Sequence, residues 1–364
     1  MRRMSKIAAV TMVGALALTG CGSNSGGGGG GSSSSGGSAS EDVCKSKTDG
    51  DGPKIGLAYD VGGRGDQSFN DSAYAGLEKA VGEFDATCIE GEATDGEAES
   101  AREDRLRNMA EDGATAIVGV GFAYSESVNA VAPDFPKVNF AVIDGFDPDE
   151  TANDNVAYLG FAEEQGSYLV GVAAAEKSKT GTIGFVGGVN NDLIQKFEAG
   201  YTAGAKAAKP DIKVEVQYIQ ESDLKGFGDP AGGKAAAAGE FDKGADVVYH
   251  AAGGSGSGVF DAAVEAGEGN WAIGVDSDQY LTATAEQKPF ILTSMLKRVD
   301  VATYDFAKSV DAGKPLTSFV TYDLKQDGVG YSTSNKSAID GLTSTIDDYK
   351  AKIIAGDIKV PTKP

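Results

Sequence analysis

The sequence predicts an α/β fold of two doubly wound lobes that face each other across a hinge cleft. Three observations carry this prediction. Short apolar, β-branched runs alternate with amphipathic stretches of helical period, the pattern that builds parallel sheets wrapped by helices. Runs such as Ala116-Ile117-Val118 and Phe140-Ala141-Val142-Ile143 hold no charge and fit strands buried on both faces. The alternation restarts near 177–180, so there are two series of units rather than one.

The elements follow in order. Strand 54–60 leads into a Gly- and acid-rich loop, then helix 72–84, strand 87–90, helix 97–111, and strands 114–120, 138–143 and 156–161, with helix 164–177 closing the series. The second series runs strand 182–186, helix 193–207, strand 213–218, helix 234–241, strand 246–250, helix 258–266 and strand 271–275. A tail adds helix 302–312, strand 318–322 and helix 339–355. Residues 53–178 are expected to form the first lobe and 179–297 the second. The chain is expected to return to the first lobe over about 298–330, leaving 331–364 as a C-terminal helix and tail.

Ahead of the first strand the sequence changes character. Arg2, Arg3 and Lys6 precede an apolar run over 7–18, which reads as a secretory signal peptide spanning 1–20 and is too short to cross a bilayer. The run ends Leu18-Thr19-Gly20-Cys21. This ending resembles the bacterial lipobox, which makes Cys21 the lipidated first residue of the processed chain; the alternative is an ordinary signal peptide with an incidental cysteine. Residues 22–40 are almost wholly Gly and Ser, too poor in apolar surface to fold. The segment 21–52 is therefore read as a lipid-anchored tether with a reach of about 25 Å.

Lysine and arginine number 32 against 54 acids, a formal charge of −22, which excludes nucleic acid as a partner. With Cys21 assigned to lipid, Cys44 and Cys88 remain, and in an oxidising compartment they are expected to pair. Those two cysteines and the single His250 make no closed zinc set, so neither a metal nor a cofactor is expected. The glycines of 253–258 lack the Gly-Lys-Ser/Thr ending of a phosphate loop and miss the dinucleotide-binding spacing. No Ser or Cys accompanies His250 in a nucleophile motif, and the adjacent Glu163 and Glu164 point to different helix faces. No residue is assigned a catalytic role.

The informative polar residues stand at strand ends. Asp60 ends the first strand, Asp144 ends Phe140-Ala141-Val142-Ile143, and Asp276 ends Ile273-Gly274-Val275, in a chain whose strand bodies are otherwise nearly free of charge. Doubly wound sheets bind ligands at the carboxyl ends of their strands, where these carboxylates can accept hydrogen bonds from sugar hydroxyls or base nitrogens. Each could instead cap the turn that follows. Phe69 and Phe197 lie next to loop or helix-start positions and could stack on a flat ligand, although Phe197 also reads as packing within its own lobe.

Five stretches carry a family resemblance. The run Gly65-Asp66-Gln67-Ser68-Phe69-Asn70-Asp71-Ser72-Ala73-Tyr74-Ala75-Gly76-Leu77 is followed by Glu164-Gln165-Gly166-Ser167-Tyr168-Leu169-Val170-Gly171. Then come Ile183-Gly184-Phe185-Val186-Gly187-Gly188, Lys196-Phe197-Glu198-Ala199-Gly200-Tyr201 and Ala252-Gly253-Gly254-Ser255-Gly256. In this order, over about 54–352, they resemble the basic membrane protein family of importer receptors. The resemblance implies two Rossmann-like lobes of the periplasmic binding protein type I architecture, closing on a purine nucleoside that is delivered to an ABC permease. It implies base contacts from Asp60, Phe69, Asn70 and Asp144, ribose contacts from Asp276 and Lys297, and close backbone approach at Gly254; Phe197 and His250 are carried over with them. Lys297 also reads as a solvated helix start. The expected protein is therefore a monomeric, lipid-anchored receptor on the outer face of the cell membrane, and not an enzyme. The alternatives are a receptor for a sugar or other polar solute on the same scaffold, or a nucleoside-processing enzyme.

Overall fold

A computed structural model describes residues 42–147 and 153–364. The expected signal peptide over 1–20, Cys21 and most of the expected tether lie outside the described residues. The chain from Glu41 to Pro364 forms one compact unit.

Its elements are α1 (Val43–Ser46), β1 (Lys54–Tyr59), α2 (Phe69–Glu83), β2 (Thr87–Glu92), α3 (Glu99–Glu111), β3 (Ala116–Val120), α4 (Ser125–Val131), β4 (Asn139–Ile143), β5 (Val156–Phe161) and α5 (Glu163–Lys177). There follow β6 (Thr182–Val189), α6 (Asp192–Ala208), β7 (Lys213–Gln220), α7 (Pro230–Asp242), β8 (Val247–Ala251), α8 (Gly256–Ala266), β9 (Trp271–Asp276), α9 (Gln279–Thr282) and β10 (Ile291–Lys297). The chain ends with α10 (Val299–Asp311), β11 (Ser318–Tyr322), β12 (Val329–Tyr331), α11 (Lys336–Ile339) and α12 (Thr343–Ala355).

Two six-stranded sheets result, ordered β11-β5-β4-β3-β1-β2 and β12-β10-β9-β8-β6-β7. The first is parallel throughout, and the second is parallel except for β12, which runs antiparallel to β10. Every residue of β3 and β8 is buried, as charge-free runs require of central strands. Local chemistry sets the helix starts: Asn191 accepts from Ile194 N–H at 2.9 Å before α6, and Asp229 accepts from Gly232 N–H at 2.9 Å around Pro230 at the start of α7.

Two crossings depart from chain order. Helix α5, placed in the first lobe by its position in the sequence, packs on α6, β8, β10 and β12 of the second. Helix α10 makes the reverse passage and packs on α2, β3 and β4. The chain thus changes lobe at Ala162 and at Arg298, then between β11, which joins β5, and β12, which joins β10. Position in sequence cannot assign a helix to a lobe here, because α5 is buried on all sides over 166–175 and carries no single face that would name a sheet.

The N-terminal arm is already structured inside the expected tether. Val43 N–H donates to Tyr74 Oη at 3.1 Å, and Cys44 is joined to Cys88 on β2 by a disulfide.

Candidate ligand-binding site

The strand order of each sheet reverses beside its first strand: β1 lies between β2 and β3, and β6 between β7 and β8. Such switch points leave a crevice at the strands' carboxyl ends. The two crevices face each other and enclose a cavity of about 550 Å³, its opening to solvent included. Asp60, Phe69, Asn70, Asp144, Phe197, Gly254, Asp276 and Lys297 all line it. His250 does not. It is fully buried behind the β8 end, its Nε2 3.0 Å from Gln279 Oε1. That oxygen also accepts from Val275 N–H at 2.9 Å, so Nε2 of His250 carries the proton; burial lowers the ring's pKa to about 4 and keeps it neutral.

From the first lobe, the loop before α2 is held by its own acids. Asp66 accepts from the backbone N–H of Ser68 (2.9 Å), Asn70 (2.8 Å) and Asp71 (3.1 Å), and so caps the helix. Asn70 in turn accepts from Asp60 N–H at 3.0 Å. These bonds place Phe69 and Asn70 at the cavity wall. Arg64, in the same loop, points elsewhere: its guanidinium lies 3.4 Å from the Tyr74 ring centroid and pairs with Glu90 at 3.5 Å. Gly121, at φ +106°, closes the β3 end against the Asp60 carboxylate, where a Cβ would collide.

Asp144 and Asp276 share a backbone feature. Both adopt the left-handed conformation, with φ of +60° and +65°, which aspartate tolerates better than most residues. Left-handed residues at two equivalent strand ends aim two carboxylates inward, and local strain of this kind concentrates at ligand sites. Lys297, the last residue of β10, is only 2 % exposed and is no solvated helix start. Its Nζ lies 2.6 Å from Asp144 Oδ2 across the cleft and 3.4 Å from Glu163 Oε1, with the rings of Phe69, Phe161 and Phe197 at 5.1, 5.1 and 5.4 Å. Asp144 Oδ1 has no hydrogen-bond partner among the described residues.

Burial raises the pKa of Asp60 and of Asp276 to about 6. It raises Asp144 as well, against the pull of the Lys297 ammonium. For Lys297, burial opposes the charge, but Asp144, Glu163 and Asp276 outweigh it and the pKa rises. The lobes are bonded to each other beside the cavity: Ser68 Oγ donates to Asp276 Oδ2 at 2.5 Å, and Ser277 Oγ donates to Ser68 O at 3.0 Å. The cavity is thus a cleft with aromatic walls, several inward carboxylates and, among the described residues, a single lining cation, itself already paired.

Sequence reasoning missed several lining residues. Phe122, Leu193, Ile194 and Phe227 contribute apolar wall, and Asp66 contributes the loop's organising carboxylate. Only Asp66 left a signal, an acid two residues before Ser68 and just ahead of a helix start. At the other wall, beside Gly254, Gly253 holds a left-handed backbone at φ +54°.

No helix among the described residues is long and apolar enough to cross a membrane. Residues 54–364 match the family described as ABC transporter substrate-binding protein, PnrA-like. The chain is 35% identical over 380 residues, covering 100% of its length and 99% of the other, to the ABC transporter nucleoside-binding protein BmpA of Lactococcus lactis. It is 36% identical over 327 residues to the CD4+ T-cell-stimulating antigen of Listeria monocytogenes, covering 85% and 88% of the two chains. Among solved structures, an ABC transporter solute-binding protein from Aeropyrum pernix superposes with a TM-score of 0.73 at 29% identity, covering 85% of this chain and 93% of that one. A two-lobed fold, a cleft at paired switch points and a match spanning both lobes give one conclusion: this chain belongs to the PnrA-like family of ABC transporter substrate-binding proteins.

Proposed function

We propose that this protein is a lipid-anchored, extracytoplasmic receptor that closes on a purine nucleoside and delivers it to an ABC permease. The observation that carries the reading is the pairing of Phe69 and Phe197 with Asp144, Asp276 and Lys297 around one cleft. Rings suit a flat base, where stacking contributes about 1–3 kcal/mol, and carboxylates suit its N–H groups and the ribose hydroxyls. Asp144 lines the cleft, and its Oδ1, buried without a hydrogen-bond partner among the described residues, suits a donor on the ligand. The nucleoside-binding relative from Lactococcus lactis supports the same ligand class.

Asp60, Asn70 and Asp144 are assigned to the base, Asp276 and Lys297 to the ribose, and the Gly253–Gly254 turn to backbone approach. Cys21 is assigned to lipid, and the receptor works as a monomer with no cofactor and no catalytic step. The test is a thermal-shift screen of the chain from Glu41 onward, unfolded and refolded to strip co-purified ligand. Stabilisation by purine nucleosides and not by free sugars supports the reading; stabilisation by sugars alone removes the ligand and keeps the receptor. Radiolabelled palmitate incorporated into the full chain, and lost in Cys21→Ala, tests the anchor.

A further inference from the structure

Glu163 is buried beside the cavity yet takes no part in the contacts assigned above: it is 1 % exposed and is not among the lining residues. It is the first residue of α5, directly after the crossing at Ala162, where a helix N-terminus favours negative charge. Its Oε1 makes no hydrogen bond among the described residues but stands 3.4 Å from Lys297 Nζ, and its Oε2 stands 3.4 Å from Lys196 Nζ on α6. Lys297 directly precedes the second crossing, at Arg298. The ion cluster therefore sits where the chain passes between the lobes.

Lys297 needs a second carboxylate. Its ammonium packs against three rings, and its nearer partner, Asp144, lines the cavity, with a second carboxylate oxygen that has no hydrogen-bond partner among the described residues. A donor bound to Asp144 draws on the same negative charge that holds Lys297. We infer that Glu163 is a positioning residue of the binding site, fixing Lys297 Nζ at the interlobe crossing while Asp144 serves the ligand. The inference rests on the cavity being the ligand site. The charged groups facing Lys297 are Asp144 from the β4 end, Glu163 from α5 and Asp276 from the β9 end, with Lys196 behind Glu163; Phe69, Phe161 and Phe197 complete its surroundings.

The experiment compares Glu163→Gln, which keeps the shape and removes the charge, with Glu164→Gln, which removes a charge one residue along. Glu163→Asp keeps the charge and controls for disruption of the helix start. Two readouts are taken on the chain from Glu41: the ¹³Cε signal of Lys297 during base titration, and calorimetric binding of inosine. Losing a carboxylate within about 4–6 Å should lower the Lys297 midpoint by about 1–3 pH units in Glu163→Gln and not in Glu164→Gln. Inosine binding should weaken about tenfold, equivalent to about 1.4 kcal/mol, and recover in large part in Glu163→Asp. A Lys297 titration unchanged in Glu163→Gln, or lowered equally by Glu164→Gln, overturns the inference. If the unaltered protein ignores inosine, the Lys297 titration still decides the role of Glu163, and the failure falls on the nucleoside reading alone.

Discussion

Replacing Lys297 with Met tests whether the cleft is built around one buried cation. Lys297 Nζ stands 2.6 Å from Asp144 Oδ2 and 3.4 Å from Glu163 Oε1. At an effective dielectric of about 20, those separations give gross attractions of about 6 and about 5 kcal/mol. Desolvation of the three ions offsets much of this, and breaking a buried pair from one side costs about 3–5 kcal/mol because the remaining charges stay buried and unmatched. At about 2–4 °C per kcal/mol, Lys297→Met should lower the melting temperature by roughly 6–20 °C at neutral pH. The sign with pH follows from Asp144. Without the ammonium, burial drives its folded-state pKa further above the unfolded value. A carboxyl raised in this way favours the folded state when protonated, and that contribution is lost as pH climbs through the folded pKa. The deficit of the Met variant should therefore be smallest in acid and grow toward neutrality, and Asp144→Asn combined with Lys297→Met should recover part of it. Thermal unfolding across pH on ligand-free protein measures this. A Met variant as stable as the parent at neutral pH, or one with a pH-independent deficit, would show that the cleft is not built around this cation.

Three further outcomes follow. Asp276, raised to about 6 by burial from an unfolded value of 3.8, contributes stability below the unfolded value that is lost as pH rises through about 6. Asp276→Asn should therefore gain on the parent between acid and neutral pH, by up to about 3 kcal/mol, in the same unfolding series. Phe69, half-buried at the cleft wall, should lose about 1–3 kcal/mol of nucleoside affinity on change to Ala while the fold persists, read by calorimetry. Reducing the Cys44–Cys88 bridge, whose partners are 44 residues apart, should cost about 4 kcal/mol by the loop-closure relation, read as a lower melting temperature with reductant.

Much of this site was legible because strand-end position is a sequence property. Asp60, Asp144 and Asp276 each follow an apolar run, and parallel sheets bring such positions to one edge. What strand-end position could not convey is the left-handed backbone at Asp144 and Asp276. Lys297 was visible at the end of an apolar run, yet its burial depends on Asp144 and Glu163, 153 and 134 positions earlier in the chain, meeting it across the crossings. Phe122 and Phe227 lie in single turns of 3₁₀ helix, where no period marks an inward face. Glu163 read as half of an adjacent acid pair without a task, because nothing local says that α5 leaves the lobe of β5. Long-range apposition, rather than local propensity, supplied the remainder.

Whether this cleft selects a purine nucleoside is decided by calorimetric titration of the refolded, ligand-free chain from Glu41. With inosine, guanosine and adenosine in turn, saturable binding is expected at one site per chain for at least one of them, weakened at least about tenfold in Asp276→Ala, a loss of about 1.4 kcal/mol or more. Absence of heat with all three, or binding that Asp276→Ala leaves intact, would contradict that selection.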